Sequence, residues 1–230
     1  MIPAPRKPAA MSPHAEVCLR ALADAGLGQV VSIGGALGLL HYLDYRSTHD
    51  VDAWWTAAAT GEARQRVLSI VTEALRPFGR VEQRQWGDVT SVELVEGGRT
   101  VFSFQVAVRS AQVGRPAPAP WVAVLVDDLD DLVASKMTAL IERGAPRDFR
   151  DIRAVCAAEL MAPADCWALW RRRQTMAGAD SDPRRAVLAI RSHLVRIESQ
   201  RPLNGIADPS QRAEAAATRR WFATEFADAA

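Results

Sequence analysis

Residues 32–55 read SIGGALGLLHYLDYRSTHDVDAWW, and this stretch decides the fold. Just before the glycines, residues 29–33 form a short β-branched run, the mark of a strand. Gly34-Gly35 is a turn, residues 36–43 a short apolar helix, and residues 49–55 alternate polar and apolar as a second strand does. Residues two apart on a strand share a face, so Asp50 and Asp52 project together while Val51 and Ala53 face the other way. Two neighbouring carboxylates repel, so the arrangement has no merit for stability alone. A hard divalent cation removes the conflict, and Mg²⁺ takes one or two carboxylates plus substrate phosphates. The glycine turn, with its free backbone N–H groups at the start of a helix, favours a phosphate. A phosphate cradle followed by a metal-binding pair of acids is the logic of metal-assisted phosphoryl or nucleotidyl transfer. A lone glycine pair or a lone DxD is common in strand-and-turn proteins. The order and spacing of the two, with Arg46 and Thr48 between them, carry the signal.

Outward from this stretch, residues 13–25 have apolar side chains at helical spacing, and Gly26 stands where a helix would be capped. Residues 62–75 form an amphipathic helix ended by Pro77. Residues 89–95 and 100–108 are two strands joined by Glu96-Gly97-Gly98-Arg99, a hairpin turn. Residues 114–120 (GRPAPAP) read as a stiff connector and residues 122–126 as a further strand. Beyond that the chain is helical, with helices expected near 128–143, 148–161, 163–174, 184–199 and 209–227. The expected class is α/β (α+β): a mixed-sheet core with flanking helices at 13–125, a helical domain at 126–230, and a flexible leader at 1–12.

The chain has 230 residues and a net charge of +1, which argues against a strongly basic nucleic-acid coat or an acidic tail. Only two of its 28 cations are lysines, Lys7 and Lys136. Cys18, Cys156 and Cys166 are far apart with no CxxC spacing, so the expectation is free thiols in a reducing cytosol. The leader has prolines and no apolar run, unlike a signal peptide. Residues 25–43 carry no charge, but their five glycines suit a strand, turn and helix better than a membrane span.

The segment GGALGLLHYLDYRSTHDVD resembles the signature of the nucleotidyltransferase superfamily, in particular the AbiEii/AbiGii toxin-type family, whose core is similar to DNA polymerase β. The resemblance puts the family's glycine pair on Gly34 and Gly35, its Arg on Arg46, its Ser/Thr on Thr48 and its metal-binding acids on Asp50 and Asp52.

A second segment, KMTALIERGAPRDFRDI at 136–152, extends it. By helical stepping Lys136 falls within the apolar stripe of Leu132, Met137 and Leu140, where a cation is costly without an anionic partner. The resemblance implies that Lys136 contacts a nucleoside triphosphate and that Asp148 or Asp151 completes the site. Geometry alone does not choose between the two acids, although Asp148 stands where a helix cap would. Polymerase-β-like enzymes carry a third acid on a neighbouring strand. Here residues 101–108 offer only Ser103 and Gln105, with Glu93 as a substitute one strand away.

The remaining features are bland. The four histidines lack metal-ligand spacing, and GxSxG, HExxH, P-loop and GxGxxG patterns are absent. Residues 166–205 hold eight arginines against three acids, a solvated helix face or an RNA-backbone patch. The expected protein is a cytoplasmic, Mg²⁺- or Mn²⁺-dependent nucleotidyltransferase with its site in the cleft between core and helical domain. It moves an NMP from an NTP to an acceptor hydroxyl. The resemblance implies a tRNA 3′ end as acceptor and a cognate antitoxin as partner. The rival readings are an enzyme that modifies a small molecule such as an antibiotic, and a non-catalytic nucleotide-binding protein of the same fold.

Overall fold

The computed structural model describes residues 3–230. Residues 1 and 2 of the expected leader lie outside the described residues. The chain divides into two compact units, one up to Leu132 and one over Val133–Ala230.

The first unit opens with α1 (Pro13–Asp24), which has its proline in the first turn where a missing N–H costs nothing. Then come β1 (Val31–Ile33), α2 (Gly35–Leu40), β2 (Val51–Trp55) and α3 (Gly61–Leu75). The Thr60 hydroxyl caps α3 by accepting from the Ala63 N–H at 3.2 Å. The strands β3 (Arg80–Trp86), β4 (Val89–Glu96), β5 (Arg99–Ala107), β6 (Ala117–Ala119) and β7 (Val122–Val126) complete a seven-stranded mixed sheet. Its order is β3-β4-β5-β2-β1-β7-β6. The central strand β2 is parallel to β5 and antiparallel to β1, and β1 is parallel to β7.

Two strands depart from expectation. β3 carries a polar, largely exposed sequence, RVEQRQW, because it is an edge strand with a single neighbour. β6 lies within the expected connector, and its Pro118 is tolerated because that strand too is an edge. The β4–β5 turn places Gly97 and Gly98 at φ +54° and +77°, the left-handed pair of a type I′ hairpin. Of the expected leader, Arg6 pairs with Asp44 at 2.7 Å, Lys7 with Glu16 at 2.8 Å, and Met11 bridges Thr48.

Alternation decides which face of the sheet is greasy. Val31, Ile33, Val51, Ala53, Val92, Leu94, Phe102, Phe104 and Val106 are buried in one cluster with Cys18, Leu19 and Leu22 of α1 and Val67, Val71 and Leu75 of α3. The residues between them in each strand face the opposite side.

A helix α4 (Leu129–Glu142) runs across the division of the chain, and the Asp128 carboxylate caps its start by accepting from the Asp131 N–H at 2.9 Å. The second unit continues with α5 (Pro146–Ala157), α6 (Pro163–Met176), α7 (Pro183–Gln200) and α8 (Pro209–Trp221), ending in a π-type turn over Phe222–Phe226. Its core is aromatic. Phe149 meets Phe222 edge-on at 4.8 Å, Trp167 lies 5.3 Å from Phe226, and the Trp167 indole donates to the Phe226 carbonyl at 2.8 Å.

Candidate active site

The glycine turn and the acids of β2 meet. Gly34 follows β1 and donates its N–H to the Asp52 carbonyl at 2.8 Å. Gly35 has φ +57°, and a Cβ there would lie 2.0 Å from Asp52 Oδ2. Only glycine lets the Asp52 carboxylate rest against this turn. The helix that follows, expected over 36–43, is α2 with six residues and stops at His41, so its dipole is short.

The polar set shares one sheet face. Asp52 stands directly across from Gln105 of β5, and Trp54 from Ser32 of β1. Asp50 is the residue before β2, and its Oδ1 accepts from the Ser103 hydroxyl at 2.9 Å. Ser103 in turn accepts from the Gln105 amide at 3.3 Å. The position where a third acid was sought therefore holds a hydrogen-bond chain, Gln105 to Ser103 to Asp50. Glu93 lies across from Ser103 on the same face, but its carboxylate is held by the Thr100 hydroxyl at 3.1 Å and by Arg84 at 3.5 Å.

Arg46 and Thr48 lie in the loop between α2 and β2. The Arg46 guanidinium sits 5.6 Å over the Tyr45 ring and donates to the Ser47 carbonyl at 3.2 Å, while Thr48 forms its bridge to Met11. His49 is exposed, and His41 is fully buried. His41 Nδ1 faces the Leu37 carbonyl at 2.8 Å and Nε2 faces the Trp121 indole N–H at 3.3 Å. A carbonyl can only accept and an indole N–H can only donate, which fixes the neutral Nδ1–H tautomer. Burial accordingly lowers the His41 pKa.

Sequence reasoning missed a buried network beside the glycine turn. Arg109 donates to Asp127 Oδ1 at 2.6 Å, to the Ser32 hydroxyl at 2.8 Å, and to Asp131. Ser32 itself donates to Asp127 Oδ1 at 2.7 Å, and Asp131 accepts from the Val113 N–H at 2.9 Å. Burial raises the Asp127 carboxyl pKa, and Arg109 and Ser32 only partly oppose it. Among the described residues, Asp127 Oδ2 and Trp54 Nε1 have no hydrogen-bond partner. Both point at Gly34, since a Cβ there would be 3.2 Å from the first and 2.5 Å from the second. The network braces the turn that Asp52 touches. Its one signal in the sequence is an acid closing an apolar strand, at Asp127.

In the second unit Lys136 pairs with Asp151 at 2.7 Å, with both side chains nearly inaccessible at 8% and 0%. Asp148 is engaged at both oxygens, by Arg143 at 2.9 and 2.8 Å and by the Ala145 N–H at 3.1 Å at the start of α5. Of the arginine-rich stretch, Arg171, Arg172, Arg184 and Arg191 are exposed. Arg173 is buried, Arg185 pairs with Asp180 at 2.9 Å, and Arg196 holds the Arg143 carbonyl.

Among protein families, residues 18–225 match the one described as the nucleotidyl transferase AbiEii toxin of type IV toxin–antitoxin systems. The chain belongs to this AbiEii family. It is thus a nucleotidyltransferase with a mixed α/β fold, and its membership covers both units. Among solved structures it is similar to an antigenic nucleotidyltransferase-like protein from Paracoccidioides brasiliensis. The identity is 14% and the TM-score 0.40, over 88% of this chain and 92% of that one. No curated protein matches the AbiEii chain. No helix among its described residues is long and apolar enough to cross a membrane.

Proposed function

We propose that this AbiEii-family chain transfers an NMP from an NTP to the 3′-terminal hydroxyl of a tRNA, using the polar sheet face around Gly34, Gly35, Asp50 and Asp52. The observation that carries the proposal is the contact of Asp52 with the glycine turn, where a Cβ on Gly35 would fall 2.0 Å from the carboxylate. That contact brings a phosphate cradle and an anionic donor to one place. A divalent cation suits the donor set: Asp50 and Asp52 supply hard oxygen ligands on one strand face, and the Asp52 carboxylate takes the space that a Gly35 Cβ would fill. Asp50 and Asp52 would hold Mg²⁺ or Mn²⁺, which supplies charge neutralisation at the α-phosphoryl group and a more acidic attacking hydroxyl.

The chain's own residues do the rest. The backbone N–H of Gly35 is assigned to orienting the phosphates, since that of Gly34 is taken by the Asp52 carbonyl. Ser103, backed by Gln105, holds the Asp50 carboxylate in place by a hydrogen bond of 2.9 Å. Lys136 and Asp151 enter as candidate members of the site, Lys136 to neutralise phosphate charge and Asp151 as its counter-ion. Asp148 is assigned to holding α5, since Arg143 and the Ala145 N–H take both its oxygens. Arg46 and Thr48 are assigned to the nucleotide loop. The exposed arginines of α6 and α7 support an RNA acceptor over a small molecule, because guanidinium groups pair with backbone phosphates. As a member of a type IV toxin family, the chain is proposed to be a toxin held in check by a cognate antitoxin.

The test is a transfer assay with purified protein, Mg²⁺, each α-labelled NTP, and either total tRNA or a panel of hydroxyl-bearing antibiotics. Label in the tRNA band, lost on raising the salt, is the expected outcome. Label on a small molecule with tRNA unmarked would replace the RNA acceptor by the small one.

A further inference from the structure

The three cysteines differ sharply in setting. Cys156 is in the last turn of α5 and Cys166 in the first half of α6, and their Sγ atoms stand 3.7 Å apart. A disulfide brings sulfurs to about 2.05 Å, so the pair is about 1.7 Å short of a bond. Cys166 is fully buried. Cys156 is half-buried and lines a pocket of about 630 Å³ with Arg153, Arg220, Trp221 and Thr224. Cys156 is therefore at an opening, with the buried Cys166 sulfur 3.7 Å from its own.

The two thiols are also unequal in acidity. The hydrogen bond with Cys166 lowers the Cys156 pKa, against burial and the nearby Asp165, which raise it. Cys166, in the same hydrogen bond and buried, has its pKa raised. Arg153, Arg220 and Glu225 line the same pocket. Cys18, buried in the first unit, has its thiol pushed up to about 12 by burial, and so serves as an internal control.

We propose that Cys156 and Cys166 are a reversible dithiol–disulfide pair, oxidised by a hydroperoxide that enters through this pocket. The Cys156 thiolate attacks one peroxide oxygen. The O–O bond breaks, the departing oxygen takes a proton and leaves as water or an alcohol, and Cys156 becomes a sulfenic acid. The Cys166 sulfur then attacks the sulfenic sulfur, the S–O bond breaks, and water leaves with the Cys166 proton. Two electrons pass from the two thiols to the peroxide. A thiol reductant reverses the bond by exchange. Disulfides of this transient kind are the ones found in reducing compartments. The bond would tie the end of α5, the helix that carries Asp148 and Asp151, to the start of α6.

The test uses the native full chain, exposed to a small excess of hydrogen peroxide, alkylated, and mapped by peptide mass spectrometry without reduction. The thiol titre is expected to fall from the three free cysteines to one, with an intramolecular Cys156–Cys166 peptide that a reductant removes. In Cys166→Ser the reaction is expected to stop at a sulfenic acid on Cys156, trapped by dimedone. In Cys156→Ser both remaining thiols are expected to stay reduced. The proposal is overturned if the native protein shows no linked peptide, if Cys156 passes to sulfinic acid while Cys166 stays free, or if Cys18 reacts as fast. The readout is independent of nucleotidyl transfer.

Discussion

Gly35 is the residue on which the site's geometry turns. Its φ of +57° already costs a residue with a side chain about 1 kcal/mol, and an added Cβ must also displace the Asp52 carboxylate. Gly35→Ala is expected to lower NMP transfer at least about tenfold, worth ~1.4 kcal/mol in the barrier. The melting temperature should fall by only a few degrees; a transfer assay beside a thermal melt checks both. Lys136 and Asp151 allow a cleaner separation. Removing one member of a pair exposed at 8% and 0% leaves an uncompensated buried charge, so Lys136→Met should cost about 3–5 kcal/mol in urea unfolding. The double variant Lys136→Met with Asp151→Leu should recover most of that stability and stay inactive. Full transfer by the double variant would retire both residues from the chemistry. At this scale Asp50, Asp52 and the odd placement of Lys136 are legible, because periods of 2 and 3.6 reveal them within a few residues. Arg109, Ser32 and Asp127 are not. Ser32 and Asp127 are 95 residues apart, and only the parallel pairing of β1 with β7 makes them neighbours.

Elements with buried apolar alternation, such as β1, β2, β4, β5 and β7, could be read from the chain, because one sheet face must be covered. β3 and β6 could not, since an edge strand needs no greasy face and admits proline. The helix α2 is packed too closely for any side chain at Gly38, where a Cβ would lie 2.4 Å from the Leu132 side chain and 3.2 Å from the Ile33 carbonyl. Gly38→Ala is expected to destabilise despite its better helix propensity. At the end of α2, His41 makes this unit sensitive to pH. Its pKa is lowered from 6.5 by burial, so just below pH 6.5 the unfolded chain binds a proton that the folded one does not. This group's contribution to stability therefore rises with pH in that window and is lost as the pH falls through the folded pKa. Unfolding free energies at about pH 7.5 and about pH 5.5 should differ less in His41→Gln than in the unaltered chain.

Over the whole molecule, the net charge of +1 is an average over separated patches. Acids gather at β2 and at the start of α4, and arginines stand out on α6 and α7. Near-neutrality is therefore compatible with an RNA acceptor. The first unit is held at its polar face by Arg109, whose side chain is 7% exposed between two buried carboxylates. Arg109→Met strands both, and should cost about 3–5 kcal/mol, a fall of roughly 10 °C in the melting of that unit. The Asp50–Asp52 face is proposed to perform the transfer. The most direct test is Mg²⁺-dependent NMP transfer by the unaltered chain and by the Asp50→Asn, Asp52→Asn double variant, with circular dichroism to show that both are folded. The double variant is expected to be folded, with transfer reduced about a thousandfold or more. Transfer by that variant at the unaltered rate would contradict the proposal.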